Sequence, residues 1–218
     1  MAAYNSFITK HYDIDFNDLK NKKFLSFFPW VGVRYLENRV VVVGKWHFGN
    51  DNASHEEYTR ERVADNGIQK NDENPYKRAT KLLLGRDLST IADREALWSQ
   101  LAFFNLKKGQ YPGNDVKNHL LVEDDFYTFV EIAKIMLPRF LLFVDVELEN
   151  YGSKDFLEKS GVSVTPINSF DEKGTNIKVE MALLSTRTWS AISVFTKLCN
   201  QPFVGNIDSV ERYMPKFF

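Results

Sequence analysis

Arg39-Val40-Val41-Val42-Val43-Gly44-Lys45-Trp46-His47-Phe48-Gly49 is the stretch whose reading decides how this chain folds. Four β-branched residues in a row cannot alternate between core and water, so they predict a central strand covered on both faces, as in parallel sheets. The run stops at Gly44, where the missing Cβ permits a sharp turn or the close approach of a ligand. Lys45, Trp46, His47 and Phe48 follow directly. Ligands of open α/β sheets sit beyond the carboxyl ends of the strands, so this turn is the first candidate site.

Two further apolar runs have the same character. Leu101-Ala102-Phe103-Phe104-Asn105 and Phe140-Leu141-Leu142-Phe143-Val144 predict second and third buried strands, ending at Asn105 and Asp145. Between them lie helical patterns. Asp15 to Phe28 reads as a first helix, and Ser54 with Glu57 has capping-box spacing for a helix from His55 to Asn66, closed by Gly67. Asn74-Pro75 starts a helix that stops at Gly85, and Ser89 caps one that runs through Trp98. Glu123–Met136 has helical periodicity, and Ser153–Lys159 closes at Gly161. Val162–Thr165 reads as a short strand, Asn168–Asn176 as a polar loop and Val179–Leu184 as the last strand. Ser185-Thr186-Arg187 is then a turn, Thr188–Leu198 a helix, and Asp208–Tyr213 one further turn or two. Alternating strands and helices imply a mainly parallel sheet with helices on both faces. The carboxyl edge would carry Gly44 to His47, Asn105 and Asp145, with Ser185 to Arg187 as candidates to join them.

The 218 residues fit a single domain over positions 1–218, with residues 1–28 as an N-terminal helical extension. Hydrophobic residues make up 44% and aromatics 14%, enough for a substantial core. The 28 basic and 29 acidic side chains give a net charge of −1 and a pI near 6.4, with no global attraction to nucleic acid or anionic membrane. A local basic patch is still compatible with that balance. Cys199 is the only cysteine, which excludes an internal disulfide and suggests a reducing compartment. No apolar run reaches the ~18 residues a membrane span needs. Met1–Lys10 lacks the basic-then-apolar pattern of a signal peptide, so a soluble cytoplasmic protein is expected, with no membrane partner. No metal-ligand cluster, phosphate loop or dinucleotide fingerprint stands out, and no cofactor is expected.

The residues at that edge suit a planar, polar ligand. Trp46 or Phe48 offers a surface on which a base can stack, and Asn105 offers one acceptor and two donors in a fixed plane, suited to a pyrimidine edge. His47 can donate to a carbonyl or share a proton, and Lys107, Lys108 and Arg187 can meet phosphates. Each also has an ordinary structural role: aromatic plugs under a loop, a turn-forming asparagine, a solvated lysine pair.

The order of segments resembles the uracil-DNA glycosylase-like superfamily, in particular a divergent bacterial branch. The resembling pieces are Phe28-Pro29-Trp30-Val31-Gly32, Val41 to Gly49, Tyr58-Thr59-Arg60-Glu61-Arg62-Val63, Leu97 to Asn105 and Phe140 to Val144. The resemblance implies a three-layer α/β/α sandwich around a mainly parallel four-stranded sheet, with base-binding groups on its carboxyl edge. It implies a DNA-repair hydrolase or a binding relative, with DNA or a nucleobase-containing ligand as partner. Under it His47 is the catalytic candidate, Gly44, Lys45, Trp46, Phe48 and Asn105 are base-binding, and Ser185, Thr186 and Arg187 form the late-motif or phosphate loop. The sequence departs from the family where the reaction is served. Lys45 and Trp46 stand where the first loop usually supplies an acidic residue or asparagine, and Leu183-Leu184-Ser185-Thr186-Arg187 stands where His-Pro-Ser normally begins the late motif. A lysine in place of a carboxylate reverses the sign of the charge that would stabilise a cationic sugar. The open readings are therefore a divergent base-excising enzyme, a non-catalytic nucleic-acid or nucleotide-binding protein, and an enzyme acting on a free nucleoside or other small molecule. A carboxylate reaching Asn105, from Asp51 or Asp145, would favour the enzyme.

Overall fold

Strand β2 (Val40–Gly44) is buried along its whole length, as the valine run predicts. Its side chains divide between two cores: Val41 and Val43 join one apolar cluster, Val40 and Val42 the other. Strands β4 (Leu101–Asn105) and β6 (Phe140–Val144) flank it in parallel, with Val42 opposite Phe103 on one side and Leu142 on the other. The computed structural model describes residues 4–48, 55–70, 74–107, 110–111, 120–148, 152–171 and 177–198.

Helices cover both faces. On one, α1 (Asp13–Asn21), α6 (Glu123–Met136) and α7 (Ser153–Lys159) bring Phe16, Phe129 and Leu157 against Phe104, Leu141 and Phe143. On the other, α4 (Asn74–Leu84) and α5 (Ile91–Trp98) bring Tyr76, Leu82 and Trp98 against Val42, Phe103 and Leu142. Among the described residues no helix is long and apolar enough to cross a membrane.

The sheet is larger than the four strands implied by the resemblance. It has seven, in the order β1-β4-β2-β6-β9-β8-β7. β1 (Trp30–Val31) is an antiparallel edge on β4, and β9 (Ser190–Leu198) lies parallel to β6. β8 (Ile177–Ser185) and β7 (Ser163–Asp171) then add on antiparallel. The segment expected as a helix, Thr188–Leu198, thus supplies a central strand. Its apolar residues fit helical spacing, but Ile192, Val194 and Thr196 are β-branched and the strand pairs on both sides, so packing decides. The Thr196 hydroxyl, buried there, donates to the Phe143 carbonyl at 3.0 Å. Asn168 to Asp171, read as loop, belong to β7, whose register shifts between Pro166 and Asn168.

The expected helix from His55 to Asn66 also takes another form. After the one-turn α2 (Tyr35–Asn38), a short α3 (Tyr58–Arg62) widens into a π-helix (Val63–Lys70), and Gly67 lies inside it instead of ending it. A Cβ on Gly67 would stand 3.2 Å from Trp98 Cε2, so glycine lets the widened turn lie on the indole. Arg94 of α5, buried at 5% exposure, donates to the carbonyls of Ile68, Gln69, Leu88 and Ser89 within 3.2 Å. One guanidinium therefore satisfies carbonyls at the end of the π-helix and in the loop before α5. Two boundaries move as well: α1 ends at Asn21, with Lys23 left-handed at φ +62°, and Thr90 instead of Ser89 caps α5 by accepting from Asp93 N at 3.1 Å.

Replacing Arg94 with methionine keeps most of the volume and removes every donor. Arg94→Met is expected to lower the unfolding free energy by about 3 kcal/mol, read from urea denaturation, because buried carbonyls lose charged partners. Unchanged stability would show that those carbonyls do not depend on Arg94.

Candidate functional site

β2 and β4 end side by side, Gly44 opposite Asn105. A Cβ at position 44 would stand 2.1 Å from Asn105 Oδ1, so the Asn105 amide occupies the space that glycine leaves. Asn105 Oδ1 is enclosed and accepts no hydrogen bond among the described residues. Beyond Gly44 the chain enters β3 (His47–Phe48), which pairs in parallel with β5 (Gln110–Tyr111). The same two loops are tied by Leu106 N donating to Gly44 O at 2.9 Å and Lys107 N to Lys45 O at 3.0 Å.

This pairing turns His47 inward, to 4% exposure. Its Nε2 shares a hydrogen bond of 2.9 Å with Thr59 Oγ1, and its ring meets Phe27 and Tyr58 edge to face at 5.3 and 5.1 Å. Burial pushes the His47 pKa down to about 3, and the Arg62 guanidinium adds to that direction. The imidazole is therefore neutral near pH 7 and offers one donor and one acceptor.

His47, Thr59, Asn105 and Lys107 line a cleft whose facing wall is the segment Phe24-Leu25-Ser26-Phe27. The cavity is about 10 Å³, room for roughly one water molecule. Lys107, expected as half of a solvated pair, is instead buried and lies 3.6 Å from the buried Asp125 of α6. Asp125 also accepts from Val122 N at 2.9 Å at the start of α6. Lys108 lies outside the described residues.

The other predicted site residues separate. Lys45 Nζ sits 4.4 Å from the Trp46 ring centroid, a cation–π pair that does not line the cleft. The Phe48 side chain lies outside the described residues, as does Asp51. Asp145 does not line the cleft; its carboxylate pairs with Arg78 of α4 at 2.9 Å, and its backbone is left-handed at φ +61°. No carboxylate is among the described residues lining the cleft. Ser185, Thr186 and Arg187 do not share this edge. β8 runs antiparallel to β9, so Ser185 pairs with Ser190 at the start of β9, at the opposite end of the sheet. There Thr186 forms a tight turn, its N–H donating to the Trp189 carbonyl at 2.8 Å. The residues that follow β9, from Cys199 on, lie outside the described residues.

Sequence reasoning missed the Phe24–Phe27 wall, which it placed inside a helix, and the Lys107–Asp125 pair. Thr59 stood within one of the resembling segments, and its spacing of 12 from His47 carried no signal of contact. Compared with known protein families, with curated proteins and with solved structures, the chain shows no significant match.

Protonating His47 in the folded state is costly, because its folded pKa lies below the ordinary value of 6.5. Stability is therefore fully present above about pH 6.5 and is lost as pH falls from there toward 3. Between pH 7 and 5 the native protein is expected to lose about 2 kcal/mol from this group, a loss absent in His47→Gln. Denaturant titrations at the two pH values give the comparison; equal losses in both proteins would mean His47 protonates freely.

Proposed function

We propose that this protein binds a uracil-type base of DNA in the cleft between His47 and Asn105, on a uracil-DNA glycosylase-like fold, without hydrolysing the glycosidic bond. The observation that carries the reading is the Asn105 carbonyl oxygen, enclosed beside Gly44 and without a hydrogen-bond partner among the described residues. A buried acceptor left unpaired is costly, and the N–H edge of a pyrimidine supplies the missing donor while the amide nitrogen meets a neighbouring carbonyl. The four adjacent parallel strands β4-β2-β6-β9, with this cleft at the carboxyl end of the first two, support the fold assignment.

Chemistry argues for binding over cleavage. Glycosidic cleavage builds positive charge on the sugar, which a nearby carboxylate stabilises. Lys45 stands in the position where the family carries its acidic residue, and the described cleft wall contributes none. Entry of a base requires Phe24–Phe27 to move aside, since the cavity now holds about one water. Extruding the base adds a few kcal/mol, least from single strands.

Fluorescence anisotropy with single-stranded oligonucleotides carrying one uracil or one abasic site tests this. The uracil strand is expected to bind about fivefold more tightly, with affinity falling as salt rises, and Asn105→Ala is expected to erase the preference. Phe27→Ala is expected to strengthen binding by opening the cleft. No alkali-labile strand break is expected at high protein concentration. An abasic product would replace this reading with a glycosylase, and absence of salt-dependent binding would remove nucleic acid altogether.

A further inference from the structure

A second cavity, of about 380 Å³, lies in the opposite helical layer. That volume is within the range of small-molecule sites, about 300–1,000 Å³. Its apolar side is made by Tyr4, Phe7 and Ile68, of which Tyr4 and Ile68 belong to the core cluster of Val40 and Val42. Its other side carries three carboxylates, Glu61, Asp65 and Glu95, and no cationic side chain is among the described residues lining it. Glu61 lies 3.4 Å from His55 Nε2, whereas Asp65 and Glu95 have no ion pair among the described residues.

The shape follows from the π-helix. Glu61, Asp65 and Ile68 fall on one side of the continuous α3 and π-helical segment, so a single stretch of chain supplies both acidic rim and apolar floor. π-Helix is rare, and its single-turn form recurs at functional sites. Arg94 and Gly67 hold this one in place, as described above. The Tyr4 phenol is pushed up to about 12, first by burial and then by Glu57 and Glu61, with Arg60 opposing. An apolar, aromatic cavity with three carboxylates at its rim suits one ligand chemistry. The carboxylates attract a positive charge, the rings of Tyr4 and Phe7 accept a cation or an apolar stem, and an anion is repelled.

We propose that this cavity is a binding site for a small organic amine, an ammonium carried on an aromatic or aliphatic stem, with the charge among Glu61, Asp65 and Glu95 and the stem against Tyr4, Phe7 and Ile68. The site is independent of the His47–Asn105 cleft and of any reaction there.

Isothermal titration with 4-phenylbutylamine tests the proposal, with 4-phenylbutanol, 4-phenylbutyrate and spermidine as comparators. The amine is expected to bind saturably at one site per chain, the alcohol about fivefold more weakly, and the carboxylate not at all. Spermidine, charged but without an apolar stem, is expected to bind more weakly than the arylalkyl amine. The double variant Asp65→Asn, Glu95→Gln removes two carboxylates that are exposed or half-exposed, so the fold tolerates it, and thermal unfolding checks that. It is expected to lose about tenfold in amine affinity with the alcohol unchanged, whereas Phe7→Ala weakens both. The proposal is overturned if the amine fails to saturate the wild-type protein at millimolar concentration, if the double variant binds it equally well, or if spermidine binds as tightly as the amine.

Discussion

A strand without a solvent face has to be covered twice, and the burial of Val40 to Val43 on both sides imposes that requirement on the whole molecule. Each fully buried valine contributes about 1.5–3 kcal/mol, and the four do so together only if both layers of helices are in place. The chain meets the demand with α1, α6 and α7 on one face and the π-helix, α4 and α5 on the other. Parallel neighbours on each side follow from the same constraint, since helical crossovers are what put cover on both faces. The strand can end only where cover ends, and that point is Gly44, beside Asn105.

The polar groups near that end are mostly committed to one another. Lys107 faces Asp125, Asp145 faces Arg78, Lys45 lies over Trp46 and His47 holds Thr59. Each contact lowers the free charge available for chemistry. His47 is held neutral by burial, and Asp145 and Asp125 near these strand ends are engaged by cations. The Asn105 side-chain oxygen is an acceptor with no hydrogen-bond partner among the described residues. Under the proposed base-binding role, the unused acceptor and the neutral imidazole serve recognition.

The parts legible in the sequence are those where local pattern and tertiary role agree. The runs in β2, β4 and β6 are continuous and apolar, and α6 keeps helical periodicity through its buried face. Where two periods fit the same residues, the reading failed. Thr188 to Leu198 has apolar spacing that suits a helix, and only its position between β6 and β8 makes it a strand. That single error had a further cost. With β9 missing, Val179–Leu184 stood as the last parallel strand, and Ser185 to Arg187 were assigned to the carboxyl edge when they lie at the other end of the sheet. The π-helix and the cleft wall were illegible for a different reason: both depend on partners distant in sequence, Arg94 for Ile68 and His47 for Phe27. His47 and Asn105 were found together because each stands at or shortly beyond the carboxyl end of a strand that could be read.

The register shift in β7 bears on how copies of this protein meet one another. A seven-stranded sheet has two outer strands whose unpaired N–H and C=O groups can template another chain. Here one outer strand, β1, is only two residues long. The other, β7, carries Pro166, which has no N–H to give, at the point where its pairing slips. Neither described border presents a long regular row of donors and acceptors. Among the described residues, extension of the sheet by added strands is therefore disfavoured at both borders, and with it self-association through a continuous intermolecular sheet.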